Sequence, residues 1–174
     1  MKKIIFTFVT AIILCSVTAQ VKYDKIGVFG TNGKSDWVIV QLDGKQGFVD
    51  TAGKEVVKPI YDKIGIFGTN GKSDWALVQL DNKYGFINTL GKEVLKPVYD
   101  KIGIFGTHGK ADWALVQLDG KYGFIDTLGK EVIKPVYDKI GIFGANGKSD
   151  WALVETGKKQ GFINTLGKFI EFGK

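Results

Sequence analysis

The chain has one cysteine, one histidine and no arginine, and each scarcity removes a class of chemistry. One histidine, with no cysteine beside it, makes neither a histidine-bearing zinc site nor a charge-relay triad. Cys15 is the sole thiol and sits inside an N-terminal apolar segment. If that segment is removed on export, the mature protein has no disulfide and no thiolate for metal binding or nucleophilic attack. All 24 basic residues are lysine, whereas proteins that read nucleic acid usually rely on arginine for bidentate contacts. The lysines are spread evenly among 18 acids, which describes a solvated surface rather than a nucleic-acid face.

Long apolar runs are also missing. The longest, Ile4 to Val17, has 14 residues and falls short of the ~20 that a membrane-spanning helix needs. It follows Lys2 and Lys3 and ends at Val17, which with Ala19 supplies small side chains at the −3 and −1 positions of a peptidase site. Residues 1–19 therefore read as a secretory signal, with cleavage after Ala19 and a mature chain beginning at Gln20. Lipid attachment at Cys15 is the minor alternative, because Leu14 is a poor residue to precede a lipidated cysteine. The expected location is periplasmic or extracellular in a bacterium, with no transmembrane segment in the mature chain.

What is present is a repeat. Residues 20–174 form a single expected domain of four units, 23–60, 61–98, 99–136 and 137–174, each 38 residues long. The second and third units differ at only five positions, so the repeat is the unit of folding. Within the second unit, glycines separate short runs rich in branched and aromatic residues: Tyr61 to Phe67, Trp75 to Leu80, Tyr84 to Thr89 and Glu93 to Val98. Asp81-Asn82, and Asp119-Gly120 in the third unit, are tight hairpin sequences. Gly68 to Asp74 reads as a longer loop, and Pro97 confines the last run to a sheet edge or a strand end.

No window has helical periodicity, and each unit reads as an antiparallel meander of three or four strands. In the Trp75 run, Ala76, Val78 and Leu80 share one face while Trp75, Leu77 and Gln79 share the other. Both faces are mostly apolar, which a lone small sheet cannot sustain, so each unit must pack on its neighbours. The fold class is all-β: tandem meander repeats stacked as an open, solenoid-like array, with a closed four-bladed propeller-like ring as the alternative. The fourth unit departs at Phe169 to Lys174 and at Glu155-Thr156-Gly157, as a terminal cap of an open array would.

The stretch Tyr84-Gly85-Phe86-Ile87-Asn88-Thr89-Leu90-Gly91-Lys92-Glu93-Val94, followed by Pro97-Val98-Tyr99-Asp100, resembles the bacterial WG repeat. The pattern recurs at Gly47-Phe48, Gly123-Phe124 and Gly161-Phe162. The naming tryptophan is replaced by Tyr84 and Tyr122 in two copies and by Gln46 and Gln160 in the others, and Trp37, Trp75, Trp113 and Trp151 lie on a different strand. The resemblance implies an all-β repeat without an established general activity, and it supplies no catalytic residues.

The candidate ligand-binding residues are the repeated pairs Asp36-Trp37, Asp74-Trp75, Asp112-Trp113 and Asp150-Trp151, each after a polar loop. An aromatic face beside a carboxylate suits a sugar. The plainer reading, which is preferred, packs each Trp between units and uses each Asp to fix its loop. One acid per loop is too few for a calcium site, so no metal and no cofactor is expected. The acids recur at equivalent positions in every copy, whereas an active site places its acid and its base in different surroundings. The expectation is a non-catalytic binding or interaction module for a protein or a cell-envelope glycan, with an envelope scaffold or spacer as the alternative. Identical weak sites would act together through avidity.

Overall fold

The computed structural model describes residues 22–172, so the expected signal segment and its cleavage point lie outside the described residues. The chain is all-β and forms four sheets, each a four-stranded antiparallel meander in chain order. The first sheet comprises β1 (Lys25–Ile26), β2 (Trp37–Leu42), β3 (Lys45–Asp50) and β4 (Glu55–Tyr61). The second comprises β5 (Lys63–Ile64), β6 (Trp75–Leu80), β7 (Lys83–Asn88) and β8 (Glu93–Tyr99). The third comprises β9 (Lys101–Ile102), β10 (Trp113–Leu118), β11 (Lys121–Asp126) and β12 (Glu131–Tyr137). The fourth comprises β13 (Lys139–Ile140), β14 (Trp151–Thr156), β15 (Lys159–Asn164) and β16 (Phe169–Glu171). No helix of the described residues is long and apolar enough to cross a membrane.

Turn chemistry sets the register of the central hairpins. Asp81 and Asn82 have φ of 50° and 63°, and Asp119 and Gly120 have 49° and 76°, the left-handed pair that a two-residue hairpin requires. Pairing then runs without a slip from Trp75 opposite Asn88 to Leu80 opposite Lys83. The next turn is closed by Asn88, whose Oδ1 accepts the N–H groups of Leu90 and Lys92, both at 3.0 Å. Asp126 closes the equivalent turn of the third sheet in the same way.

The expected strand from Tyr61 to Phe67 is corrected. Tyr61 ends β4 of the preceding sheet, β5 is two residues long, and Phe67 sits in the loop that follows. The reason lies in backbone bonding at the crossing. Asp62 N–H donates to the Gln79 carbonyl and Gly65 N–H to that of Leu77, which leaves only Lys63 and Ile64 in regular register with β6. Pro97 does fall on an edge strand, since β8 is the outermost strand of its sheet.

The aromatic-glycine pair has a steric explanation. Between Tyr84 and Phe86 the register against β8 jumps from Tyr99 to Leu95, so the extra residues of a bulge lie directly over Gly85. A Cβ on Gly85 would lie 2.7 Å from the nitrogen of Pro97, and one on Gly47 or Gly123 would lie 2.6 Å from that of Pro59 or Pro135. Glycine there is demanded by close approach of backbone to backbone.

The core lies between the sheets. One cluster joins Trp37, Phe48 and Val57 of the first sheet to Ile64, Ala76, Val78 and Ile87 of the second. The next joins Trp75, Phe86 and Leu95 to Ala114, Val116 and Ile125, and the third joins Phe124 and Ile133 to Ala152, Val154 and Ile163. The β6–β7 and β10–β11 hairpins of the two inner sheets therefore send one face to the sheet before and the other to the sheet after. The result is an open array, held by the burial of apolar surface between consecutive sheets.

Candidate functional site

The aspartate and the tryptophan of each pair part company in the structure. Chain direction explains this: Trp75 opens β6 and follows its alternation inward, while Asp74 is the last residue of the loop and turns outward. Trp37 and Trp75 are only 5% and 4% exposed, whereas Trp113 and Trp151 are half-buried. Asp36, Asp112 and Asp150 are exposed and Asp74 is partly so. The four pairs thus do not form four matched aromatic and carboxylate surfaces.

What surrounds Trp37, Trp75 and Trp113 is an aromatic triplet that crosses a junction. Trp37 lies 5.4 Å from the ring of Phe48 in its own sheet and meets Phe67 of the next edge-on at 5.9 Å. Trp75 repeats this with Phe86 at 5.2 Å and Phe105 at 5.8 Å, and Trp113 with Phe124 at 5.7 Å and Phe143 at 5.4 Å. Tilted and edge-on contacts at these distances suit the ring quadrupoles. The inserting phenylalanine is also fixed by its backbone: the N–H groups of Phe67, Phe105 and Phe143 donate to the carbonyls of Asn32, Asn70 and His108, each at 3.1 Å. His108 holds that loop position where asparagine stands in the other copies, and burial pushes its imidazole pKa down.

Polar contacts surround the triplet. Lys34 and Lys72 lie 3.3 Å from Asp36 and Asp74, with their ammonium groups 5.0 and 5.6 Å from the centres of the Trp37 and Trp75 rings. Asp36 and Asp74 therefore pair with lysines of their own loops and Asp150 with Lys110 of the preceding one, while different aspartates bond backbone N–H groups. Asp62 accepts the Asp81 N–H on one oxygen and the Lys45 ammonium, from the preceding sheet, on the other. Asp100 with Lys83 and Asp138 with Lys121 make the same bridge at the next two junctions. The carboxyls of these three aspartates are held below the usual range, chiefly by those lysines.

On the other side of the junction Tyr61 donates to Glu93 at 3.5 Å and Tyr99 to Glu131 at 2.9 Å. Burial, with Glu93 alongside, pushes the Tyr61 phenol up to about 12, and Tyr99 is raised in the same way. In an unfolded chain tyrosine ionises near pH ~10. A raised folded value contributes stability that is intact below that pH and is lost as pH rises towards 12. Denaturant midpoints should therefore fall as pH rises from ~10 towards 12, and Tyr61→Phe should flatten that slope. An unchanged slope would mean that the phenol titrates normally in the fold.

A second feature repeats on the outer edge. A groove of about 280 Å³ beside β1 is lined by Lys25, Ile26, Gly27, Ile39, Gln41 and Gln46. Its counterpart beside β5, about 300 Å³, is lined by Lys63, Ile64, Gly65, Leu77, Gln79 and Tyr84, each 38 residues further on. Sequence reading missed both this groove and the inserting phenylalanines. The signal available was the recurrence of Phe29, Phe67, Phe105 and Phe143, each followed by glycine, at the repeat period. Among the described residues no polar or charged side chain is buried, and no group of three or more His, Cys, Asp or Glu is placed to hold a metal.

A family model described as WG containing repeat matches residues 47–84, 84–122 and 122–159, together more than half of the chain. Each matched stretch begins within the third strand of one sheet and ends within the third strand of the next, so it spans the crossing between them. No curated protein matches the chain. Among solved structures, the crystal structure of HIRA(644-1017) is similar at 11% identity and a TM-score of 0.34, over 78% of this chain and 43% of that one. The chain spans less than half the length of that relative.

Proposed function

Given that the chain belongs to the WG containing repeat family, we propose that it is an exported, non-catalytic interaction module that binds protein through its repeated edge grooves. The carrying observation is that two successive sheets present a groove lined by the same repeat positions, with a lysine, aliphatic side chains and a glutamine in both. A protein segment with acidic and apolar side chains complements both grooves. A sugar would want a flat aromatic wall, and Gln46 stands in the first groove where Tyr84 stands in the second, while Trp37 and Trp75 are inside. The basic start and apolar run of residues 1–19 support export to the periplasm or beyond. The non-catalytic reading is supported by the acids themselves, which pair with lysine or close turns at equivalent positions in successive copies.

The test is capture from cell-envelope protein and, separately, from purified peptidoglycan, by the wild-type chain and by Lys25→Glu/Lys63→Glu. Both lysines are exposed, so the fold should hold. Each single reversal should weaken protein capture modestly, and the double variant by more than about tenfold, because two linked sites bind with avidity. Retention on peptidoglycan alone, or equal capture by the double variant, would count against the reading. The latter result would favour a spacer without a ligand.

A further inference from the structure

The two ends of the array are complementary, and each carries one half of the junction that occurs three times inside it. At the far end an open cavity of about 260 Å³ is lined by Asn146, Lys148, Trp151, Phe162 and Ile170. Trp151 and Phe162 are the counterparts of Trp37 and Phe48, between which Phe67 inserts. Cavities of roughly 150 Å³ already accept a benzene ring. At the near end, Phe29 is the counterpart of Phe67. It is 43% exposed, whereas Phe67, Phe105 and Phe143 are 7%, 7% and 3% exposed. Ile26 is 60% exposed, while its counterpart Ile64, inside the first junction, is 6% exposed.

The polar partners match as well. At the first junction the Ile64 N–H donates to Gln46 Oε1 at 2.8 Å, and Lys45 binds Asp62 at 2.5 Å. The counterparts at the ends are Gln160 and Lys159 on one side, both exposed, where Lys159 holds Glu171 at 3.1 Å and Gln160 donates through Nε2 to Glu155, and Ile26 and Asp24 on the other. Asp24 accepts the Asp43 N–H on Oδ2 at 2.7 Å, as Asp62 accepts that of Asp81. Its Oδ1 is thereby set where the corresponding oxygen of Asp62 takes a lysine. Glutamine occupies this position in the first and last units alone, and in the first it bonds across a junction. Phe172 packs edge-on against Phe162 with ring centroids 4.9 Å apart, but it holds the register place of Tyr61 opposite Gln46, its N–H on the Gln160 carbonyl at 3.0 Å, and the cavity beside Trp151 is lined without it.

We propose that a second copy of this chain occupies the open end, with its Phe29 between Trp151 and Phe162, its Asp24 on Lys159 and its Ile26 N–H on Gln160. The contact is head to tail. Internal junctions of this kind progress along the array without bringing the first sheet back to the fourth, so copies add into an open chain rather than a closed ring. This inference uses only the junction and stands whether or not the grooves bind protein.

Sedimentation velocity of the purified protein over a hundredfold concentration range tests it. The wild-type mass should grow with concentration. Phe29→Ala, which removes the inserting ring, and Ile170→Asp, which charges the slot, should each hold the protein at the mass of one chain while melting normally. If Ile170→Asp melts early, Lys159→Glu, at an exposed residue of the same end, takes its place. An equimolar mixture of the two variants should give dimers and nothing larger, since each supplies one intact end. A wild type that stays a single chain throughout, association that survives both variants, or a mixture that stays monomeric would overturn the proposal.

Discussion

Trp75→Ala should destabilise the array by roughly 3–5 kcal/mol, and Trp151→Ala by less than half as much. Both residues open the second strand of their sheet, so composition and local structure are the same. What differs is the second side of the ring. Trp75 is 4% exposed, pressed between Phe86 of its own sheet and Phe105 of the next, while Trp151 is half-buried and lines the open cavity. Truncating Trp75 empties a space that the surrounding strands cannot close, because hairpin register holds each in place. Truncating Trp151 enlarges a cavity that solvent already reaches. Guanidinium unfolding followed by circular dichroism would show this difference, and the Trp75→Ala transition should broaden, since a weakened middle junction uncouples the sheets on either side. Equal losses for the two variants would mean that the tryptophans contribute only within their own sheets.

Gly85→Ala should cost about 3 kcal/mol or prevent folding, although it adds one methyl group. Overpacking costs typically 1–3 kcal/mol when side chains can yield. Here the obstruction is the backbone of β8 at its bulge, with the nitrogen of Pro97 2.7 Å from the new Cβ. The ring of Pro97 limits how that backbone can move. Gly120→Ala is the control. It lies in a turn at φ 76° with nothing within 4 Å of a new Cβ, so its cost is limited to the left-handed conformation, about 1 kcal/mol. Comparing denaturation midpoints separates the two effects. If Gly120→Ala proves as costly as Gly85→Ala, the close approach is not what fixes glycine at the naming position.

The hairpins and the stacking were legible in the sequence because both come from local, period-two rules. Asp119-Gly120 marks its turn, and two apolar faces on the Trp75 run demand a neighbour on each side. The role of the tryptophans was less legible, since alternation says that Trp75 shares a face with Leu77 but not what covers that face. The covering residue, Phe105, stands thirty positions on, in a loop between glycines where no strand pattern draws attention to it. The strand from Tyr61 to Phe67 was misplaced for a related reason. Tyr61 bonds to the sheet behind it and Ile64 to the sheet ahead, so one short run serves two sheets. The grooves could not be read at all, because they are a space left beside a two-residue strand rather than a property of any residue type.

Junctions between neighbours also bear on how such a chain reaches its fold. All-β proteins generally fold slowly because strands wait for partners far away in sequence. Here the bridges between sheets span short loops: 17 residues from Lys45 to Asp62, 32 from Tyr61 to Glu93 and 40 from Lys110 to Asp150. As the chain emerges from its N-terminal side, each meander can close and dock on the one before it within the next few dozen residues. The search for partners then stays the same size however many copies are added, and an unpaired sheet is exposed only until its successor arrives.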